Sequence, residues 1–190
     1  MALIVDTILG MAFLSLFSVG FLFSWFIKRP STSNNNEFKV ERRFEVVSDE
    51  HRHHPKYPIV LPRRADVGSA GYDIYSPCSG VVEPGETWFA WMDVKVKLPQ
   101  DEYLAVYVRS SMGKKGITLT NSTGIIDSSY YNNKDNDGNF GMGLHNRSDV
   151  PFIIQPGDRI GQAIFTKYSI TDDDSPVSEI RNGGYGSTGR

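Results

Sequence analysis

Glu86-Thr-Trp-Phe-Ala-Trp-Met-Asp-Val-Lys-Val-Lys-Leu-Pro99 decides the fold class. Through its second half, apolar and polar side chains alternate one by one, the period of a strand with one buried face. It ends at Pro99, which cannot donate to a sheet ladder and so suits a strand terminus. The β-rich runs of the chain are Phe44 to Val47, Ile59 to Leu61, Gly71 to Tyr75, Thr87 to Leu98 and Tyr103 to Val108. Pro84-Gly85, Asn136 to Gly138 and Pro156-Gly157 punctuate the region with turn chemistry. No long stretch here has a helical period, and there is no internal repeat. Many short strands at this spacing predict an all-β domain of sandwich or jelly-roll type.

The chain has 190 residues and is 39% hydrophobic, enough for one globular domain plus an appendage. A formal net charge of -2 gives no global basic field, so nucleic acid is not expected as a partner. Cys78 is the only cysteine, which excludes an internal disulfide and any multi-cysteine zinc site. That usage suits a reducing compartment, and Cys78 itself reads as a small residue in a loop after a strand. The cluster His51-Arg-His-His54 lacks acidic or cysteine partners nearby, so it reads as a solvated loop rather than a metal site.

From Ile8 to Ile27 runs a stretch of 20 residues without a charge. About 20 apolar residues span a bilayer core as a helix. Trp25 sits near the end of the stretch, Lys28 and Arg29 follow it, and Asp6 is the only charged side chain ahead of it. The positive-inside bias places the bulk of the chain in the cytoplasm. A cleaved signal peptide fits poorly, because no Lys or Arg precedes the apolar run. A buried helix, or a start codon placed too far upstream, would also account for the stretch; in the second case the protein is simply cytoplasmic. The expected organisation is a membrane-anchor helix over 1–29, a polar linker over 30–37, a β domain over 38–175 and a glycine-rich tail over 176–190.

That tail, Arg181-Asn-Gly-Gly-Tyr-Gly-Ser-Thr-Gly-Arg190, offers free backbone N–H groups, hydroxyls, guanidinium and one aromatic. Alone it reads as a disordered terminus; its chemistry also suits a polyphosphate. Four further segments precede it: Gly68-Ser-Ala-Gly-Tyr-Asp73, Arg109-Ser110-Ser111-Met112-Gly113, Asn121 to Tyr130 continuing to Gly141-Met-Gly-Leu-His-Asn146, and Pro156-Gly-Asp-Arg159-Ile-Gly-Gln162. In this order the five segments resemble the five motifs of the trimeric, all-β dUTPase family. The resemblance spans roughly Phe44 to Arg190. The run Tyr130-Tyr-Asn-Asn before an acidic loop is most similar to a bacterial and phage branch.

The resemblance implies a jelly-roll, β-clip homotrimer that hydrolyses dUTP to dUMP and pyrophosphate. Asp127 matches the carboxylate that activates the attacking water. Arg109, Ser110 and Ser111 match phosphate contacts, and Gln162 matches the fourth motif's glutamine near the phosphates. Arg159 matches an arginine that braces the trimer. Asn121 and the backbone around Gly124 and Gly141 match the uracil contacts. Tyr130 matches the ring under the deoxyribose that leaves no space for a 2′-hydroxyl. Arg181, Tyr185, Gly186, Ser187 and Thr188 would close over base and phosphates from a neighbouring subunit. Magnesium is implied, held mainly by the phosphates with no direct protein ligand. Asp73 either orients metal-bound water or only fixes a turn.

Some positions depart from the family pattern. Ser111 replaces the usual glycine, Ser129 replaces a common second aspartate, and Asn132 to Asn139 lengthens the hairpin turn. The spacing from Arg181 to the tail aromatic is one residue short. Arg-Ser-Ser also resembles dCTP deaminases of the same fold, but the strand Phe140 to Asn146 lacks the glutamate that deamination needs. The other rivals are a nucleotide-gated regulator on this scaffold and a membrane protein with an inactive domain.

Overall fold

The computed structural model describes residues 41–176. Strands β1 to β4 are Arg43–Val46, Arg63–Arg64, Tyr72–Tyr75 and Gly80–Val82. Strands β5 to β8 are Thr87–Trp91, Val94–Lys97, Glu102–Tyr107 and Ile117–Leu119. Strands β9 to β12 are Gly124–Asp127, Gly141–Asn146, Phe152–Ile154 and Arg159–Lys167. The helical content among these residues is one turn, α1 (Ser110–Gly113), and two 3-10 turns, Asp49–His51 and Ser128–Tyr130. The all-β expectation therefore holds. No described helix is long and apolar enough to cross a membrane. The predicted anchor over 8–27, the linker over 30–37 and the tail residues Arg181, Tyr185, Gly186, Ser187 and Thr188 lie outside the described residues.

The strands form antiparallel sheets ordered β2-β3-β12-β7-β9, β5-β10-β8, β1-β6 and β4-β11. Side chains alternate as the pattern requires. Val94 and Val96 of β6 are buried while Lys95 and Lys97 are half-buried; Met142 and Leu144 of β10 point into the core with Leu104, Ile117, Ile154 and Ile160. Each fully buried aliphatic side chain contributes about 1.5–3 kcal/mol. Cys78 packs against this core in the loop after β3, and burial pushes its thiol pKa up.

Two sequence expectations need correction and a third is refined. Ile59 to Leu61 forms no strand; the pairing segment is Arg63–Arg64 instead. Pro58 and Pro62 bracket the run and remove ladder donors. The run Thr87 to Leu98 is two strands, broken at Asp93, whose φ is 56°. Asp93 is fully buried and accepts hydrogen bonds from the backbone N–H groups of His53 at 2.9 Å and His54 at 2.7 Å. A buried carboxylate is tolerated only with such donors. The same bonds refine the solvated reading of His51 to His54: His53 is exposed and its neighbours half-buried, but the loop backbone is fastened to Asp93 and His53 stacks on Trp91 at 5.3 Å.

Candidate active site

A cavity of about 480 Å³ opens between the β5-β10-β8 sheet and the five-stranded sheet. The connection from Thr120 to Thr123, which carries the chain from one sheet to the other, forms part of its wall. Asn121, Gly124, Asp127, Tyr130 and Gly141 all line it, so five of the expected site residues, all from the third motif segment, meet there. Phe89, Val106, Leu119, Ile126, Phe140 and Met142 are among the apolar residues of the wall, and none of these was expected as a site residue from sequence. Phe89 on β5 is 48% exposed, and nothing in the local pattern of the sequence marked it as part of a site.

Asp127 ends β9 opposite Tyr103 of β7 and is the one carboxylate among the described residues lining the cavity. The wall contributed by Phe140 to Gly143 carries no acid. Two glycines keep the space open. A Cβ on Gly143 would run into the Thr120 hydroxyl, and one on Gly124 would stand 3.0 Å from Val106 Cβ.

Tyr130 ends the 3-10 turn after Asp127 and is 6% exposed. Its hydroxyl donates to the Asn139 carbonyl at 2.8 Å and accepts from Asn136 Nδ2 at 2.6 Å. The lengthened turn over 132–139 is therefore packed against the site rather than an open excursion. Ser129, the departure beside Tyr130, is exposed and does not line the cavity.

The phosphate-type residues lie elsewhere in the chain. Arg109 follows β7, and Asp73 of β3 accepts from Arg109 Nε at 2.9 Å and from Arg159 at 3.2 Å. Asp73 is 6% exposed and mid-strand, so it does not fix a turn; it anchors two guanidinium groups. Arg109, Ser111, Lys115 and Arg159 line a second cavity of about 290 Å³. Ser110 is exposed on the single turn α1. Gln162 is half-buried in register with Asp73 and Tyr107, and Gly71 lies so near that a Cβ there would be 2.9 Å from Gln162 Oε1. Tyr103, opposite Asp127, and Tyr107 are four residues apart on β7, about 13 Å at the usual rise, and Arg109 lies beyond. Within one chain, Asp127 and Arg109 therefore serve two separate surfaces.

Among the described residues, no cluster of three or more His, Cys, Asp or Glu is arranged to hold a metal ion.

Residues 57–189 match the dUTPase family. The chain is 39% identical over 150 residues to the deoxyuridine 5′-triphosphate nucleotidohydrolase of Lactococcus lactis subsp. lactis, covering 78% of this chain and 97% of that protein. Its structure is similar to the crystal structure of dUTPase from Streptococcus mutans, with a TM-score of 0.58 and 30% identity over 68% of this chain and 98% of the other. The dUTPase from phage phi11 of S. aureus shares the fold, with a TM-score of 0.56 and 21% identity over 73% of this chain and 97% of that one. Another structure of the phage enzyme describes a structural Mg(II) ion.

Proposed function

Because this chain belongs to the dUTPase family, it is a dUTP diphosphatase, and we propose that Asp127 is the general base of the reaction. Asp127 takes a proton from water as that water attacks the α-phosphorus of dUTP. The bond from the α-phosphorus to the bridging oxygen breaks, releasing pyrophosphate and leaving dUMP. The carrying observation is the position of Asp127: one carboxylate at the edge of a largely apolar cavity, three residues before Tyr130. Such a wall excludes bulk water while leaving one base where the nucleophile must be.

In this reading the cavity holds deoxyuridine. Asn121 and the peptide groups of Gly124 and Gly141 read the uracil edge, and a site built for that donor pattern leaves groups unpaired with cytosine. The Tyr130 ring packs under the sugar. Arg109, Ser110, Ser111 and Gln162 bind phosphate, with Asp73 holding Arg109 in orientation rather than serving magnesium. The donor set suits a cation carried by the substrate: Asp73 is occupied by two arginines, and the cavity offers a single carboxylate. Magnesium on the triphosphate would supply charge neutralisation there. Arg181, Tyr185, Gly186, Ser187 and Thr188 close the site.

Separate surfaces for Asp127 and Arg109 favour a jelly-roll homotrimer in which neighbouring chains complete each site. Val81 and Ile153 support association: they are cross-strand partners on β4 and β11, exposed by 50% and 62%. The uncharged stretch 8–27, followed by Lys28 and Arg29, supports an anchor with the catalytic domain on the cytoplasmic side. Sedimentation of the full chain with membranes, compared with residues 38–190, tests the anchor.

Pyrophosphate release from dUTP, dCTP, dTTP and UTP with magnesium tests the activity. Turnover should be confined to dUTP and fall by roughly 10³-fold or more in Asp127→Asn, with folding unchanged. Ammonia released from dCTP would redirect the assignment to deamination, and full activity in Asp127→Asn would remove Asp127 from the chemistry.

A further inference from the structure

The turn over 132–139 contains a closed set of side-chain hydrogen bonds, and we infer that Asn136 is a positioning residue that fixes the Tyr130 ring and so sets discrimination between deoxyribose and ribose. This inference rests on the dUTPase assignment of the cavity. Both amide hydrogens of Asn136 are used, one on the Tyr130 hydroxyl at 2.6 Å and one on the Asn139 carbonyl at 3.1 Å. Its Oδ1 accepts from Asn133 Nδ2 at 2.7 Å and from the Gly138 N–H at 3.1 Å. The backbone N–H of Gly138 can only donate, so it settles which end of the amide faces the phenol.

The loop grips Tyr130 at two points. Asn133 Nδ2 donates to the Tyr130 carbonyl at 2.8 Å, while Asn136 holds the hydroxyl at the far end of the ring. The loop is itself tied down: Asp137 accepts from Lys95 Nζ at 2.9 Å and from the Ser48 N–H at 2.7 Å. With the Tyr130 backbone held by Asn133 and the hydroxyl held by two partners, tilting of the ring is restricted, and rejecting one hydroxyl oxygen depends on such fixity. Without the Asn136 donor, the ring keeps its bond to the Asn139 carbonyl but loses the second constraint on its tilt.

The experiment is a double-mutant cycle on the full chain with Asn136→Asp and Tyr130→Phe. Its readout is the ratio of kcat/KM for dUTP to that for UTP. Asn136→Asp keeps the acceptor used by Asn133 and Gly138 but replaces the N–H aimed at the phenol with an acceptor, so the single phenolic hydrogen can serve either that oxygen or the Asn139 carbonyl and the ring loses one of its two bonds. Loss of one such hydrogen bond should lower the ratio about tenfold. Tyr130→Phe should lower it similarly, and the double variant should fall no further than either single one. Asn146→Ala removes comparable buried bonds, to the Val82 and Val150 carbonyls at 2.8 Å each, far from the tyrosine. It should lower melting temperature and leave the ratio unchanged. An unchanged ratio in Asn136→Asp, or full additivity in the double variant, would overturn the inference while dUTP turnover stands. If Asn136→Asp does not fold, an unchanged ratio in Tyr130→Phe overturns it alone. Absence of dUTP turnover in the unmodified chain would instead sink the assignment beneath it.

Discussion

Asp73 holds one arginine on each carboxylate oxygen, Arg109 at 2.9 Å and Arg159 at 3.2 Å. The pair of cations explains how an almost buried acid stays comfortable, and the acid explains how Arg109 keeps its direction without substrate. Asp73→Asn should raise the KM for dUTP about tenfold with a smaller effect on kcat, because it frees Arg109, the proposed phosphate ligand, and leaves the proposed base Asp127 in place. Steady-state kinetics check this; a pure kcat effect would refute it. The residue types of the site were legible in the sequence: Asp127, Tyr130, Asn121 and the two glycines do meet in one cavity. The partnership of Asp73 with Arg159 was not legible, because the two are brought together only by the pairing of β3 with β12.

At the scale of the element, the 132–139 turn depends on three left-handed residues, Asn132 at φ 54°, Asp137 at φ 58° and Gly138 at φ 85°. A Cβ on Gly138 would also lie 2.9 Å from the Tyr130 carbonyl oxygen. Gly138→Ala should therefore destabilise the fold by about 1–3 kcal/mol, measurable by urea unfolding. Turn composition announced the turn but not its purpose: nothing in an Asn- and Asp-rich run says that its amides fold back onto a tyrosine. The strand β6 was readable because alternation survives locally. The break at Asp93 was not, because the donors that stabilise it come from His53 and His54, some 40 residues earlier.

For the whole molecule, two predictions concern assembly and acid stability. Val81→Glu places a charge on the exposed β4-β11 face without entering the cavity of Arg109, and for the proposed homotrimer it should shift the particle towards monomer in sedimentation, with loss of activity. Burial would raise the pKa of Asp137, but the Ser48 N–H and the Lys95 ammonium outweigh it and hold the carboxyl below its ordinary value. A lowered pKa in the folded state stabilises it above the unfolded value, near 4, and that contribution is lost as pH falls through the folded value. Thermal melts of Lys95→Met should be lower than those of the unmodified chain at pH 7, and the difference should narrow as pH falls through the lowered value of Asp137. A difference undiminished in acid would mean that Lys95 acts through the Asn132 amide and the Tyr131 ring rather than through Asp137.

Asp127 and Arg109 belong to different cavities of one chain. In genetic terms, they would form two complementation groups within a single gene. An allele lacking the base and an allele lacking the guanidinium, each silent alone, would restore part of the phenotype when co-expressed, because some mixed particles would draw one intact half from each parent. Two alleles damaged in the same half would not.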